Sequence, residues 1–183
     1  MTTQTPGVTE TPSVAESPDV TETPSATADA YKNESDVSII TGIIQEQRQK
    51  GASVSEDLDN TEQYIWKDGR LVEIHWAEYV GGELDMSGLT ALESLNCSNG
   101  WLSSLNVSKN AALRTLSCYE SQLRSLDVSK NTALTYLDCN NNVLNSLDVS
   151  KNTELTYLDC FWTQISSLDV SKNMALEELD CCE

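Results

Sequence analysis

The residues best suited to chemistry in this 183-residue chain are six cysteines and a single histidine. One histidine, His75, excludes a multi-histidine metal site and paired-histidine catalysis on this chain alone. No serine, cysteine or carboxylate stands at a spacing that singles it out as a catalytic partner of His75. His75 is therefore interpreted as a surface residue, and we expect no enzymatic activity, no cofactor and no metal.

Five of the cysteines recur every 21 residues, namely Cys97, Cys118, Cys139, Cys160 and Cys181. Side chains that stack in register have parallel Cβ vectors, which disfavours disulfides between them. Ligands in one flat column also cannot surround a zinc ion tetrahedrally. Because free cysteine is among the most buried residue types, these five are predicted to be small apolar core residues. Cys182 breaks the period and is expected to face outward.

The charge balance restricts the possible partners. The chain contains 29 Asp and Glu against 11 Lys and Arg, giving a formal net charge of −18. Nucleic acids and anionic membranes bind through clusters of Lys and Arg, and no such cluster occurs. No run of about 18 apolar residues is present, and the first residues lack the basic and apolar segments of a secretory leader. We therefore expect neither a nucleic-acid partner nor membrane insertion.

Residues 1–34 are rich in Thr, Ser and Pro, and the prolines recur every six residues at Pro6, Pro12, Pro18 and Pro24. Proline fixes φ, and the intervening acidic side chains repel one another, so a disordered, extended linker is predicted. A linker joins two parts, which suggests a fragment of a longer exported protein. An ordinary disordered tail is the alternative.

Residues 35–70 are predicted to form an N-terminal cap. Apolar side chains at helical spacing indicate a helix over residues 36–50, with Ser35 or Asp36 as the N-cap and Gly51 just past the end. Two short β-prone runs then flank Asp68-Gly69, which is a strong hairpin signal. The helix and the strand around residues 64–66 are expected to cover the first edge of the structure that follows.

Residues 71–183 contain five full units and a truncated sixth unit of a 21-residue repeat. One unit cannot bury its own apolar face, so stability should come from contacts between neighbouring units. The first apolar column is Leu71, Leu92, Leu113, Leu134, Leu155 and Leu176, and the second is Ile74, Leu95, Leu116, Leu137, Leu158 and Leu179. A polar column consists of Asn110, Asn131, Asn152 and Asn173. These asparagines are predicted to satisfy backbone groups of buried turns.

The pattern L-x-x-L-x-C followed by L-x-x-L-x-V-S-K-N resembles the leucine-rich repeat family. More narrowly, it is similar to the LDVSKNxxLxxLDC repeats of bacterial surface and secreted proteins, loosely akin to the internalins. The resemblance covers residues 71–183 and implies a right-handed solenoid with a parallel sheet on the inner face of an arc. The family's usual asparagine after the first strand falls at Gly100, Ser121, Asn142 and Thr163, and only Asn142 matches.

The C-terminal edge of the solenoid is expected to be open, because the chain stops at Glu183 in the middle of a unit. Terminal repeats ordinarily need a polar closing element. Either the chain is truncated, or another copy covers this edge by self-association.

Side chains between the apolar positions of each strand are predicted to face outward, for example Ser94, Asn96 and Ser98. In later units they give an aromatic and acidic surface. The predicted binding residues are Tyr119, Tyr136, Asp138, Tyr157, Asp159, Phe161, Trp162 and Asp180. The alternative is that Tyr and Thr only stabilise strands through cross-strand pairs. The aspartates favour a basic partner or calcium, although a straight ladder of carboxylates seldom supplies the oxygens that calcium needs.

Three functions remain open. The leading hypothesis is a non-enzymatic protein–protein recognition module of an exported bacterial protein, with an unknown protein of a host or bacterial surface as partner. A carbohydrate-binding module and a passive structural spacer are the alternatives. The Thr/Pro linker favours an extracellular or cell-surface location with the leader absent from this chain, while unpaired cysteines would equally suit a reducing cytosol.

Overall fold

The computed structural model describes residues 1–2, 31–76 and 80–181, so most of the predicted linker and Cys182 lie outside the described residues. Within these ranges the chain forms one helix and nine strands. They are α1 (Glu34–Gln49), β1 (Tyr64–Lys67), β2 (Arg70–His75), β3 (Gly81–Asp85), β4 (Ser94–Asn96), β5 (Trp101–Asn106), β6 (Thr115–Ser117), β7 (Tyr136–Asp138), β8 (Tyr157–Asp159) and β9 (Glu178–Asp180).

The helix α1 begins two residues earlier than predicted. Asn33 is its N-cap, and the Asn33 side chain accepts hydrogen bonds of 3.1 Å from the backbone N–H groups of Ser35 and Asp36. The expectation of Ser35 or Asp36 as the N-cap is therefore wrong. The carboxylate of Asp36 is instead buried against the following hairpin. At the other end Gly51 adopts a φ of 94° just past the helix, as expected of a C-terminal glycine.

The predicted hairpin is present, with β1 and β2 antiparallel and joined at Asp68 and Gly69. These residues have φ values of 50° and 75°, as a tight two-residue hairpin turn requires. Arg70, at the start of β2, donates hydrogen bonds of 2.7 and 3.1 Å to the Asp36 carboxylate. This partly buried ion pair attaches the hairpin to the helix.

A seven-stranded sheet forms the body of the molecule in the order β1-β2-β4-β6-β7-β8-β9. From β2 onward neighbouring strands are parallel and pair residues 21 positions apart. The predicted repeat solenoid is thus confirmed. Strand β2 belongs to both the hairpin and the repeat sheet, and the division of the chain at residues 34 and 70 stays a prediction.

A second, two-stranded parallel sheet of β3 and β5 was not expected from the sequence. Gln47 of α1 covers the edge of β3, because its Oε1 accepts from the Gly81 N–H at 2.9 Å and its Nε2 donates to the Glu83 carbonyl at 3.4 Å. The helix therefore caps this small sheet, while β1 caps the large one.

The repeated apolar positions form the core. The two leucine columns are fully buried up to Leu158, and Cys97, Cys118, Cys139 and Cys160 are buried free thiols. Each 21-residue unit forms one coil of the solenoid. In the last coil Leu179 is 40% exposed and Cys181 is exposed, because no further described coil packs over them. The expectation that all five periodic cysteines are buried is therefore wrong for Cys181.

The asparagine column links each coil to the preceding one. The Nδ2 of Asn131 donates to the carbonyls of Val107 at 3.0 Å and Asn110 at 2.9 Å. The same pair of bonds recurs one coil earlier and in the two later coils, made by Asn110, Asn152 and Asn173. These carboxamides satisfy carbonyls that burial would otherwise leave unpaired.

Asn142, which matches the family's asparagine position, also lies in the interior. Its Nδ2 donates to the carbonyls of Cys118 and Cys139 at 3.0 Å, and its Oδ1 accepts from the Leu123 N–H at 2.9 Å. One coil later Thr163 donates to the Cys160 carbonyl at 2.8 Å. A hydroxyl therefore takes over part of the asparagine's function there.

Candidate functional site

Two columns of side chains on the outward side of the seven-stranded sheet run from β4 to β9. The strand register places Ser94, Thr115, Tyr136, Tyr157 and Glu178 in one column and Asn96, Ser117, Asp138, Asp159 and Asp180 in the other. Hydroxyl and amide side chains at the first coils thus give way to tyrosines and carboxylates at the last coils.

Tyr136 and Tyr157 stack face to face on adjacent strands. Their ring centroids lie 4.4 Å apart and the ring planes differ by 5°. Burial, followed by the charges of nearby groups including Asp138 and Asp159, raises the pKa of both phenols, that of Tyr157 to about 12. Both hydroxyls therefore stay protonated at neutral pH and retain a hydrogen to donate.

Asp138 lies on the same side of the sheet but is only 7% exposed, so the prediction that its carboxylate forms an open outward surface is wrong. Its Oδ1 accepts a 2.8 Å hydrogen bond from the Asn140 carboxamide, which also donates to Asp159 Oδ2 at 2.9 Å. Burial raises the pKa of Asp138 to about 6, against the opposing effect of the hydrogen bonds from Asn140. Asp159 is half-buried, and its Oδ1 accepts from the Phe161 N–H at 2.9 Å.

At the preceding coils small hydroxyls fill the corresponding space. Ser98 is fully buried, and its Oγ lies 3.0 Å from the Oγ of Ser117, which is also buried. The expectation that Ser98 faces outward is therefore wrong, since its hydroxyl pairs across the coils. Nearby, Asn99 donates a 3.1 Å hydrogen bond to the Tyr119 hydroxyl.

Phe161 and Trp162 form an aromatic pair directly after β8, with ring centroids 5.2 Å apart. Trp162 is 62% exposed and has a φ of 50°. Asn99, Glu120 and Asn141 hold the same left-handed conformation at intervals of 21 residues. Asparagine tolerates this conformation, whereas a bulky residue is strained in it. Asn99 and Asn141 are the sequence signal for a left-handed residue at this position of the repeat. This left-handed position was not predicted from the sequence.

Most of the predicted binding residues therefore lie together at the last coils. Tyr136, Asp138, Tyr157, Asp159 and Asp180 occupy neighbouring strands, and Asp180 is exposed on β9. Phe161 and Trp162 follow β8, whereas Tyr119 lies two coils before Phe161 in the column that also contains Asn140.

Among residues 1–2, 31–76 and 80–181, no group of three or more His, Cys, Asp or Glu side chains is arranged to hold a metal ion. In the same part of the chain, no helix combines the length and apolar character needed to cross a membrane. His75 lies on β2 with its Nε2 3.2 Å from the Glu73 carboxylate.

Comparison with known proteins gives a similarity to a solved structure that bears on the fold. No family model matches the sequence, and no curated protein matches it. A solved structure described as the functional domain of InlJ from Listeria monocytogenes, which includes a cysteine ladder, matches at 33% identity with a TM-score of 0.56. The match covers 62% of this chain and 26% of the InlJ chain, so this chain spans about a quarter of that one.

The similarity and the parallel sheet together define a leucine-rich-repeat solenoid of internalin-like type. The column of buried cysteines in this chain is a further point of likeness to the ladder in InlJ. Solenoids of this kind present extended surfaces for binding and typically act as non-enzymatic protein-interaction scaffolds.

Proposed function

We propose that this chain recognises a protein partner through the aromatic face, defined here as Tyr136, Tyr157, Phe161 and Trp162. The observation that carries the proposal is the exposed Trp162, held in a left-handed backbone conformation beside Phe161 and shortly after the strand that carries Tyr157. A strained, solvent-exposed tryptophan adds little to folding stability. The left-handed turn itself recurs in successive coils, so the unusual feature is a bulky ring at a position where Asn99 and Asn141 stand in other coils.

The scaffold under the aromatic face supports this assignment. Each tyrosine flanks a fully buried leucine of the core, Leu137 or Leu158, and the strands pair in unbroken register. Aromatic side chains held in this way lose little conformational entropy when a partner binds, which is why they dominate binding energetics at interfaces.

The module is proposed to belong to an exported bacterial protein and to act at the cell surface or outside the cell, on a partner of a host or bacterial surface. The similarity to InlJ supports this location. The Thr/Pro-rich residues 1–34 support it as well, because their composition is that of an extended spacer.

A carbohydrate-binding role is less well supported. Sugars stack on open ring faces, and the stack of Tyr136 on Tyr157 at 4.4 Å leaves each tyrosine only one face for such a contact. A passive spacer would need no aromatic face, and it gives no reason for a tryptophan at a position where Asn99 and Asn141 stand in other coils.

A second contact is proposed at the C-terminal edge, where β9 would pair with another copy of the chain. Met174 is 89% exposed and Leu179 is 40% exposed on this coil. Such apolar side chains beside an edge strand favour association.

The test of the aromatic face uses residues borrowed from neighbouring coils, which the solenoid already accommodates. The face variant combines Tyr136→Thr and Tyr157→Thr, which copy Thr115, with Phe161→Asn and Trp162→Asn, which copy Asn140 and Asn141. The control, Trp101→Gln, removes an exposed aromatic ring of β5 by copying Gln122.

The full chain, the face variant and the control are applied to an array of extracellular proteins and to a glycan array. We expect protein ligands of micromolar affinity that the face variant binds at least tenfold more weakly and the control binds unchanged. Glycan ligands alone would instead establish the carbohydrate-binding alternative. An absence of ligands on both arrays would favour the spacer.

A further inference from the structure

We propose that the partner presents an arginine side chain whose guanidinium stacks on the ring face of Tyr157 that Tyr136 does not cover and pairs with the carboxylates of Glu178 and Asp180. This inference rests on the proposed function, since it specifies the chemistry of the protein that the aromatic face recognises.

Tyr136 covers only one ring face of Tyr157. Tyr136 and Tyr157 are register partners on adjacent strands, and their rings are parallel, so the stack runs from strand to strand. One face of Tyr157 is covered by Tyr136, and the other is directed toward the position of Glu178 on β9. Glu178 is exposed, so its flexible side chain can move aside or alongside a planar group. A guanidinium is planar and stacks favourably on tyrosine.

The carboxylates beside this ring face lack a cation of their own. Neither outward column contains a Lys or Arg from β4 to β9. Within the described residues the side chains of Glu178 and Asp180 form no ion pair. The carboxylate of Asp159 is oriented by the Phe161 N–H and the Asn140 carboxamide and adds a third negative charge. A cation that pairs with these carboxylates can therefore come from a partner.

The other acidic column differs in this respect. Asp127, Asp148 and Asp169 each accept a hydrogen bond from the N–H two residues ahead and have Lys130, Lys151 and Lys172 close by. The serine hydrogen bonds and the nearby lysines both lower the pKa of these carboxyls, although the described residues show no ion pair between them. This column consequently supplies a matched control for charge removal.

The experiment uses the full 183-residue chain and a synthetic peptide that alternates Gly and Arg, titrated by calorimetry in about 0.15 M salt. Peptides of the same sequence with citrulline or Lys in place of Arg serve as probes of charge and of planarity. The test variant is Glu178→Gln with Asp180→Asn. The control is Asp148→Asn with Asp169→Asn, which removes the same number of charges from exposed positions elsewhere.

We expect the Arg peptide to bind at least fivefold more weakly to the test variant and within twofold of the parent to the control. The citrulline peptide should bind at least tenfold more weakly than the Arg peptide, and the Lys peptide several-fold more weakly. Tyr157→Thr should reduce Arg-peptide affinity without reducing the affinity for the Lys peptide to the same extent.

Equal weakening of both charge variants would overturn the proposal, because it would show only general attraction to an acidic protein. Equal binding of the Arg and citrulline peptides, equal binding of the Arg and Lys peptides, or no saturation at millimolar peptide would overturn it as well. The proposed function and the arginine assignment can be tested independently of each other. If a protein ligand from the array is lost with the face variant but kept by Glu178→Gln with Asp180→Asn, the aromatic face stands and the arginine assignment is wrong.

Discussion

The carboxamide of Asn140 donates a 2.9 Å hydrogen bond to Oδ2 of Asp159, which lies on the next coil. The same nitrogen donates to Asp138 at 2.8 Å, so one amide holds two carboxylates that would otherwise repel each other. The two carboxylates differ in environment, because Asp138 is buried and Asp159 is half-buried. Because Asp138 is the more buried of the two, its ionised form is disfavoured and its pKa is raised to about 6.

Asp138→Asn should stabilise the protein at neutral pH. A raised native-state pKa means that ionising Asp138 costs stability: the cost is absent below the unfolded-state pKa of 3.8, grows as the pH rises, and is complete above about 6. Asparagine keeps the acceptor oxygen for Asn140 and carries no charge. We expect a gain of roughly 2 kcal/mol in the free energy of unfolding at pH 7.5 and almost none at pH 4, measured by urea denaturation.

Asp148→Asn is the control for this pH dependence. Hydrogen bonds from Ser150 lower the pKa of Asp148, so its contribution to stability is present above the unfolded-state pKa and is lost as the pH falls through the native-state pKa. The control should therefore be slightly less stable than the parent at neutral pH and equal to it in strong acid. A gain from Asp138→Asn that is the same at pH 4 and pH 7.5 would contradict the electrostatic explanation.

Trp162→Asn should raise stability while weakening partner binding. Asparagine occupies the same left-handed position at 99 and 141, so the substitution relieves backbone strain at a φ of 50°. The loss of the ring contact with Phe161 offsets part of this gain, because Trp162 is mostly exposed. We expect a net increase of roughly 0.5 kcal/mol in the free energy of unfolding, measured by chemical denaturation. A lower stability would mean that Trp162 is retained for packing.

The repeat period made the core predictable, because a 21-residue spacing assigns every leucine and cysteine of a column to the same environment. It predicted the burial of Leu95 and Cys97 correctly. It failed at Cys181, where the column continues but the covering coil is not among the described residues. The period describes an interior coil and carries no information about an edge.

The outward side of the sheet was less predictable. The alternation of side chains along a strand predicts the direction in which a side chain points, but it does not predict its exposure to solvent. Asp138 and Ser98 both belong to outward positions, yet contacts across coils bury them. The prediction of the N-cap was wrong for a similar reason. Asp36 forms an ion pair with Arg70, and Asn33 is the N-cap. Such choices depend on residues distant in sequence, which local patterns cannot reveal.

The buried cysteines should be unreactive in the folded protein. Burial raises the pKa of Cys97 and Cys160 to about 12, so almost no thiolate is present at pH 8. In a Cys182→Ser variant, Ellman's reagent should modify Cys181 alone under native conditions and all five remaining thiols after denaturation. Rapid modification of two or more thiols in the folded protein would show that the core opens readily.

Self-association at the C-terminal edge should depend on both concentration and salt. Met174 and Leu179 are exposed there, and the neighbouring Glu177, Glu178 and Asp180 repel a second copy until salt screens them. Light scattering with reductant present should show an average mass that rises with protein concentration, more steeply at about 0.5 M salt than at 0.05 M. Reductant excludes a disulfide through Cys181 as the cause.

A designed polar capping repeat added after residue 183 should return the mass to that of a monomer at every concentration. Association that persists in the capped chain would place the contact on another surface, and a monomer under all conditions would show that the exposed edge is tolerated.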